Sequence, residues 1–187
     1  HRLRGPGVVL GMIESATAPL IALMRRELAT DPPDIVFAHH IAIGAHWAAE
    51  EAGIPLAIAV LAPFAWNAPD DPVPMLQLSP GPLGNAKARL LGAALDPALR
   101  AISDAWANRI RRNVGLAPGR DLARRAFRGG DLNLALWSDA FRAALPGDPP
   151  RGEICGFTWY DGDPAATLDP ALERFINAGE VPVVFTL

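Results

Sequence analysis

A chain of 187 residues, half of them hydrophobic and 20% charged, has the composition of a globular protein with a real core. That balance excludes an intrinsically disordered segment. A formal net charge of −3 offers no general attraction for nucleic acid, and a single cysteine excludes an internal disulfide and a cysteine-built metal cage. Lys occurs once, at Lys87, while Arg is abundant, a bias of genome composition more than of function.

Residues 8–28 set Val9, Met12, Ile13, Ala16, Leu20, Leu23 and Met24 at spacings of three and four, the stripe of an amphipathic helix. Pro19 removes one backbone hydrogen bond inside it, so a kink or break is expected there. Asp34-Ile35-Val36-Phe37-Ala38 is a short apolar run without alternation, which suits a parallel strand buried on both faces. Ile41 to Glu51 reads as a helix closed by Gly53 and followed by Pro55. A second apolar run, Leu56 to Leu61, completes a strand–helix–strand unit.

From Ala62 to Gly84 the chain is rich in Pro, Gly, Asp and Asn, a loop of the length that usually carries function. Helical character resumes at Asn85. Asp96-Pro97 reads as an N-cap with proline at the first helical position, followed by a stripe of Leu95, Ala98, Leu99, Ile102, Trp106 and Ile110 that Gly115 closes. Leu132–Leu136 and Glu153–Phe157 read as two further strands across a Pro-rich loop. Cys155, inside the second, is expected to be a small buried hydrophobe, consistent with a reducing, cytoplasmic compartment. Asp169-Pro170 opens a last helix that ends at Gly179, and Val181–Leu187 is a final strand.

The alternation of strands and helices predicts an α/β fold with a Rossmann-like parallel sheet flanked by helices. The longest apolar stretch, Leu56 to Trp66, is too short to span a bilayer. The chain opens on His1-Arg2-Leu3-Arg4 without Met and closes inside an apolar strand, as expected of an interior piece of a longer protein.

Several stretches, in order, resemble one family. Pro33-Asp34-Ile35-Val36-Phe37-Ala38-His39 with Ala48-Ala49-Glu50-Glu51-Ala52-Gly53-Ile54-Pro55 is similar to the "PD-strand … AE-x-x-GIP" stretch in the acceptor domain of UDP-dependent glycosyltransferases, of GT-B architecture. Asn113-Val114-Gly115-Leu116-Ala117-Pro118 resembles the family's "GLPP" turn, and Gly156-Phe157-Thr158-Trp159-Tyr160-Asp161 its "GF-x-x-x-D" strand end. Leu172–Gly179 with Pro182–Leu187 resembles the linker and opening strand of the donor domain.

The resemblance looks closest to bacterial members that act on natural-product or sterol-type acceptors. It implies an incomplete GT-B N-terminal domain: 1–165 a partial acceptor-binding domain, 166–180 a linker helix, 181–187 the first strand of a donor-binding domain. It further implies sugar transfer from a nucleotide sugar, UDP-linked in this family, to a hydroxyl of a small lipophilic acceptor. The transfer inverts the anomeric carbon with no cofactor beyond the donor as co-substrate. The family's catalytic His and nucleotide-sugar motif have no counterpart in these residues, so the chain alone is expected to be inactive.

His39 stands at the carboxyl end of the first strand, where open α/β sheets place ligands. In many relatives the aligned position holds an Asp that orients the catalytic His. A histidine cannot supply that charge, so the resemblance leaves His39 as a neutral partner of a base outside the chain, or as a strand-end residue bonded to backbone.

His40, Phe64, Trp66, Met75, Trp137 and Ser138 are the candidate acceptor-site residues, because they follow the carboxyl ends of strands; Trp66 could equally cover the sheet. His39, His40 and His46 also admit a metal reading, weakened by the lack of Asp, Glu or Cys at ligand spacing. His46 and Trp47 lie inside a helix and read as packing residues. The Arg-rich stretch Arg100–Arg128 reads as a solvated helix face, with peripheral contact to an anionic membrane as the sharper alternative.

Three rival readings remain open. They are a nucleotide-sugar epimerase of the same architecture, a non-catalytic α/β small-ligand binding module and a His-dependent metalloenzyme. The resemblance also implies further strands beside residues 34–38. Without them that edge is open and apolar, and self-association through it is expected.

Overall fold

The computed structural model describes residues 4–66, 68, 82–160, 162–163, 167–181 and 183. Among them are five α-helices, α1 (Arg4–Thr30), α2 (Ile43–Ala52), α3 (Pro82–Asn113), α4 (Leu122–Arg128) and α5 (Pro170–Asn177). Four strands, β1 (Val36–His39), β2 (Leu56–Val60), β3 (Leu132–Ala135) and β4 (Gly152–Ile154), form one sheet in the order β1-β2-β3-β4. Every pairing is parallel, with Val36 opposite Leu56, Ala57 opposite Leu132 and Asn133 opposite Gly152. The protein is therefore α/β, a parallel sheet flanked by helices. The chain divides into two compact units, His1–Phe157 and Thr158–Leu187.

Helix α2 is the crossover that joins β1 to β2. Its carboxyl end is closed by Gly53 in the left-handed conformation (φ 68°), whose backbone position only glycine takes without cost. Ala45, Ala48 and Ala49 of α2 pack on Val36 and Ala38 of β1 and on Leu28 of α1. A second cluster joins Ile58 and Val60 of β2 to Ala135, Trp66 and Trp137, with Phe127 of α4 packed against it. A third, of Ile21, Trp47, Ala107, Ile110 and Leu122, binds α1 to α4 into one helical layer.

Several expectations need correction. Helix α1 runs unbroken through Pro19. The carbonyl that Pro19 leaves without its partner belongs to Ser15, and both residues are exposed, so the missing bond falls on the side open to solvent. Its buried positions are Thr17, Ile21 and Leu28; Val9, Met12 and Leu23 of the expected stripe face solvent. The segment Val8–Thr30 is also long and apolar enough to cross a membrane, by length and composition, which Leu56 to Trp66 is not.

Asp96 caps nothing, because α3 continues from Pro82 to Asn113 with Pro97 inside it. Asp96 instead bonds Arg100 one turn on, at 2.6 Å. Leu99 and Ile102 are exposed, and the buried face of α3 is Ala107, Ile110 and Arg111. Strand β1 is buried on one face only: Val36 and Ala38 are covered, whereas Phe37 is 62% exposed. Cys155 is exposed, because it lies just past the short outer strand β4.

Gly115 (φ 80°) does end α3, with Leu116 N–H bonded to the Arg111 carbonyl at 2.8 Å. In the second unit, Asp169 accepts from the N–H groups of Ala171 (2.8 Å) and Leu172 (3.3 Å) and so caps α5 as expected. The final strand at 181–187 falls outside the described residues except for Val181 and Val183, which are not in a strand.

The tightest interhelical approach is at Gly44, where a Cβ would stand 2.7 Å from the Thr17 carbonyl and 2.9 Å from Leu20 Cβ. Gly44→Ala is expected to push α2 off α1 and cost about 1–3 kcal/mol, read as a lower urea midpoint at unchanged slope.

Candidate functional site at the carboxyl edge of the sheet

A parallel sheet brings all its strand exits to one edge, so the residues after β1, β2, β3 and β4 meet on the side where such folds bind ligands. His39 closes β1. The next N–H, of His40, bonds the Ala59 carbonyl at 3.1 Å, and Ala42 N–H turns back onto the His39 carbonyl at 2.9 Å. His46, one turn into α2, donates its Nε2–H to the same carbonyl at 3.1 Å. The strand end is thus held by backbone and side chain together.

The His39 and His40 rings lie 4.1 Å apart at 41°, and His40 rests on Phe127 at 4.8 Å. His39 Nδ1 accepts from the Ile41 N–H at 3.4 Å, which puts the imidazole proton on Nε2. That Nε2–H is buried and has no partner; His40 Nδ1 is in the same state. A buried polar atom without a partner is costly, and the two side by side make this strand exit the candidate site; Trp66 Nε1 and Arg100 Nε are in the same state elsewhere.

All three histidines are held neutral. Burial lowers the pKa of His39, while for His40 burial first and the charge of His39 second push it to about 4. Burial first, then the charge of His39, brings His46 to about 4, against the pull of the carbonyl bond. Among the described residues no three His, Cys, Asp or Glu side chains converge to hold a metal ion.

The remaining candidates divide. Trp66 and Trp137 are 1% and 0% exposed and meet edge to face at 4.9 Å within the core, so neither indole is an open wall of the histidine edge. Arg142 lies 5.9 Å from each ring and grips Asp148 through two bonds of 2.6 Å. Trp137 Nε1–H closes the arrangement by donating to the Arg142 carbonyl at 3.1 Å.

A cleft of about 670 Å³ beside β4 does reach Trp66, together with Asp139, Leu145, Arg151 and Glu153. Phe64 is 57% exposed at the exit of β2. Ser138 accepts the Ala140 N–H at 3.2 Å and shapes the turn after β3. Met75 lies outside the described residues.

The Arg-rich stretch is in part a solvated face, with Arg109, Arg112, Arg120, Arg124 and Arg125 exposed, and in part tied down by ion pairs. Arg100 bonds Asp96 and Asp121, and Arg109 bonds Glu14. Arg111, 4% exposed, bonds Glu50 and covers the Trp47 ring at 5.1 Å. A smaller cavity of about 140 Å³ adjoins Glu50, lined by His46, Trp47, Arg125 and Asp131. The Arg142–Asp148 clamp escaped the sequence reading; its only trace was an Arg and an Asp six residues apart in a Pro-rich loop.

No protein-family model matches the chain, and a search among curated proteins finds no match.

Two consequences are measurable. His46 has an ordinary pKa near 6.5 when unfolded and about 4 when folded, so the unfolded chain takes up the proton first as the pH falls. The stability His46 contributes is complete above about pH 6.5 and is lost toward about pH 4; His46→Gln is expected to flatten that part of the urea-midpoint profile. Arg142→Ala leaves the largely covered Asp148 carboxylate with the Leu145 N–H but without its guanidinium, and is expected to cost about 3 kcal/mol, with a changed near-ultraviolet signal from Trp66 and Trp137.

Proposed function

We propose that the chain is the acceptor-side part of an inverting, nucleotide-sugar-dependent glycosyltransferase of GT-B architecture. The reading rests on the ordered stretches from Pro33 to Leu187 and, in the structure, on one observation. Two neutral imidazoles with buried, partnerless nitrogens stand at the carboxyl end of a parallel strand.

In this reading the acceptor hydroxyl comes to the His39/His40 edge. A base outside the chain takes its proton, and the oxygen bonds to the anomeric carbon of the sugar as the bond to the nucleotide diphosphate breaks. His39, as a neutral donor through Nε2–H, orients that base or the hydroxyl and does not itself remove the proton. Phe64, exposed at the exit of β2, supplies apolar surface for a small lipophilic acceptor. The donor is held by residues beyond the chain.

A second reading has its own support. A pKa of about 4 at His40 is poor for a general base working near neutrality but suits a site that only holds a hydroxyl. A non-catalytic binding module of this fold would look the same at the histidine edge.

The test is titration of the chain with 2-naphthol while following the imidazole nitrogen resonances, then incubation with UDP-glucose and the same acceptor. Shifts at His39 and His40, weakened at least tenfold by His39→Ala, are expected, with no release of UDP. Binding that leaves both histidines unmoved overturns the site, and turnover by the chain itself overturns its assignment as an acceptor-side part.

A further inference from the structure

The cavity of about 140 Å³ lies between α2 and α4, toward the amino ends of β2 and β3. Its walls come from those helices and from the turns that lead into the two strands, all within the first compact unit. It is therefore separate from the strand exits where His39 and His40 stand. In volume it compares with an engineered core cavity of about 150 Å³ that takes up benzene. Trp47, Leu122 and Ala126 on its wall are 5%, 4% and 7% exposed and give it an apolar side.

The polar side begins with His46, which is 6% exposed. Its Nε2–H is spent on the His39 carbonyl at 3.1 Å, so in the neutral ring Nδ1 carries a lone pair. Among the described residues no donor reaches that nitrogen, and it is not sealed in protein as His39 Nε2 and His40 Nδ1 are. His46 borders the cavity, which is the open space left to this acceptor.

Glu50 stands one turn further along α2, and Asp131 joins from the turn before β3. Glu50 is held at 3.2 Å by Arg111 and at 3.6 Å by Arg125, while Asp131 takes the Leu56 N–H at 3.0 Å. These bonds leave lone pairs on both carboxylates. Two carboxylates, Glu50 and Asp131, are matched by two guanidinium groups, Arg111 and Arg125, so no net charge selects an ion. What fits is a ring-sized, uncharged body that is apolar on one side and offers a hydrogen, rather than a lone pair, on the other.

We propose that this cavity binds an uncharged, benzene-sized ring carrying one hydroxyl or N–H, whose hydrogen is donated to His46 Nδ1. The ring lies against Trp47 and Leu122. Benzene itself fills the same space but leaves Nδ1 without a partner. A ligand here touches the imidazole that holds the His39 carbonyl, and it need not be an acceptor of sugar.

The test is titration of the whole chain with phenol and, separately, with benzene, followed by calorimetry and by the imidazole nitrogen resonances. Phenol is expected to move the His46 Nδ1 resonance more than those of His39 and His40. It is expected to bind about fivefold more tightly than benzene, the net effect of one hydrogen bond. His46→Phe keeps a ring and removes the acceptor, and should bring the two affinities together. Ala126→Leu fills the cavity from α4 and should abolish both; it leaves His46 in place and serves where His46→Phe disturbs folding by circular dichroism. An unmoved His46 Nδ1, shifts confined to His39 and His40, benzene bound as tightly as phenol, or phenol binding that survives Ala126→Leu overturns the proposal.

Discussion

The parallel pairing of β2 with β1 on one side and β3 on the other is the constraint on which the rest of the structure depends. Parallel neighbours cannot be joined by a tight turn, so each junction needs a crossover long enough to return the chain to the same end. Helix α2, stopped by Gly53, is the first such crossover, and the segment that ends with α3 and α4 is the second. Ile58 and Val60 of β2 are 1% and 0% exposed, so the strand that is paired on both edges also anchors the core. The same pairing collects every strand exit on one edge, and it is what brings His39 and His40 there.

Two guanidinium groups, Arg111 buried and Arg142 largely covered, hold what the sheet does not. Arg111 spans Glu50, the Ala117 carbonyl (2.6 Å) and the Trp47 ring, fixing the turn after α3 against α2. Arg142 does the same for the loop between β3 and β4, gripping Asp148 beside both indoles. Buried ion pairs rarely stabilise more than a well-packed apolar replacement would, so their value here is geometric. Each fixes the path of a segment that has no ladder of backbone bonds.

What was legible in the sequence was local. The runs at 34–38 and 56–61, with Gly53 between them, specify strand–helix–strand because apolar continuity and a left-handed stop are properties of neighbouring residues. Asp169-Pro170 was readable for the same reason. Pro19 and Pro97 were misleading, because the carbonyls they release, on Ser15 and Ala93, are on exposed turns where water serves as well as a helical N–H. The burial of Trp66 and Trp137 was not legible either, since it depends on Arg142 and Asp148 folding over them from a loop without periodicity. Of the site, the position of His39 at a strand exit was readable from chain order. The stacking of His40 on Phe127 was not, because it joins residues on two helically connected elements far apart in sequence.

Strand β1 brings the two halves of this picture together by the parity of its residues. Even positions, Val36 and Ala38, turn their side chains into the core and their backbone groups toward β2. Odd positions, Ile35 and Phe37, turn side chains outward and backbone groups to the open edge, and His39 is the last of that series. The His39 imidazole leans on His40, which in turn rests on Phe127. The His39 carbonyl is already taken by Ala42 and His46, which is why the ladder ends there.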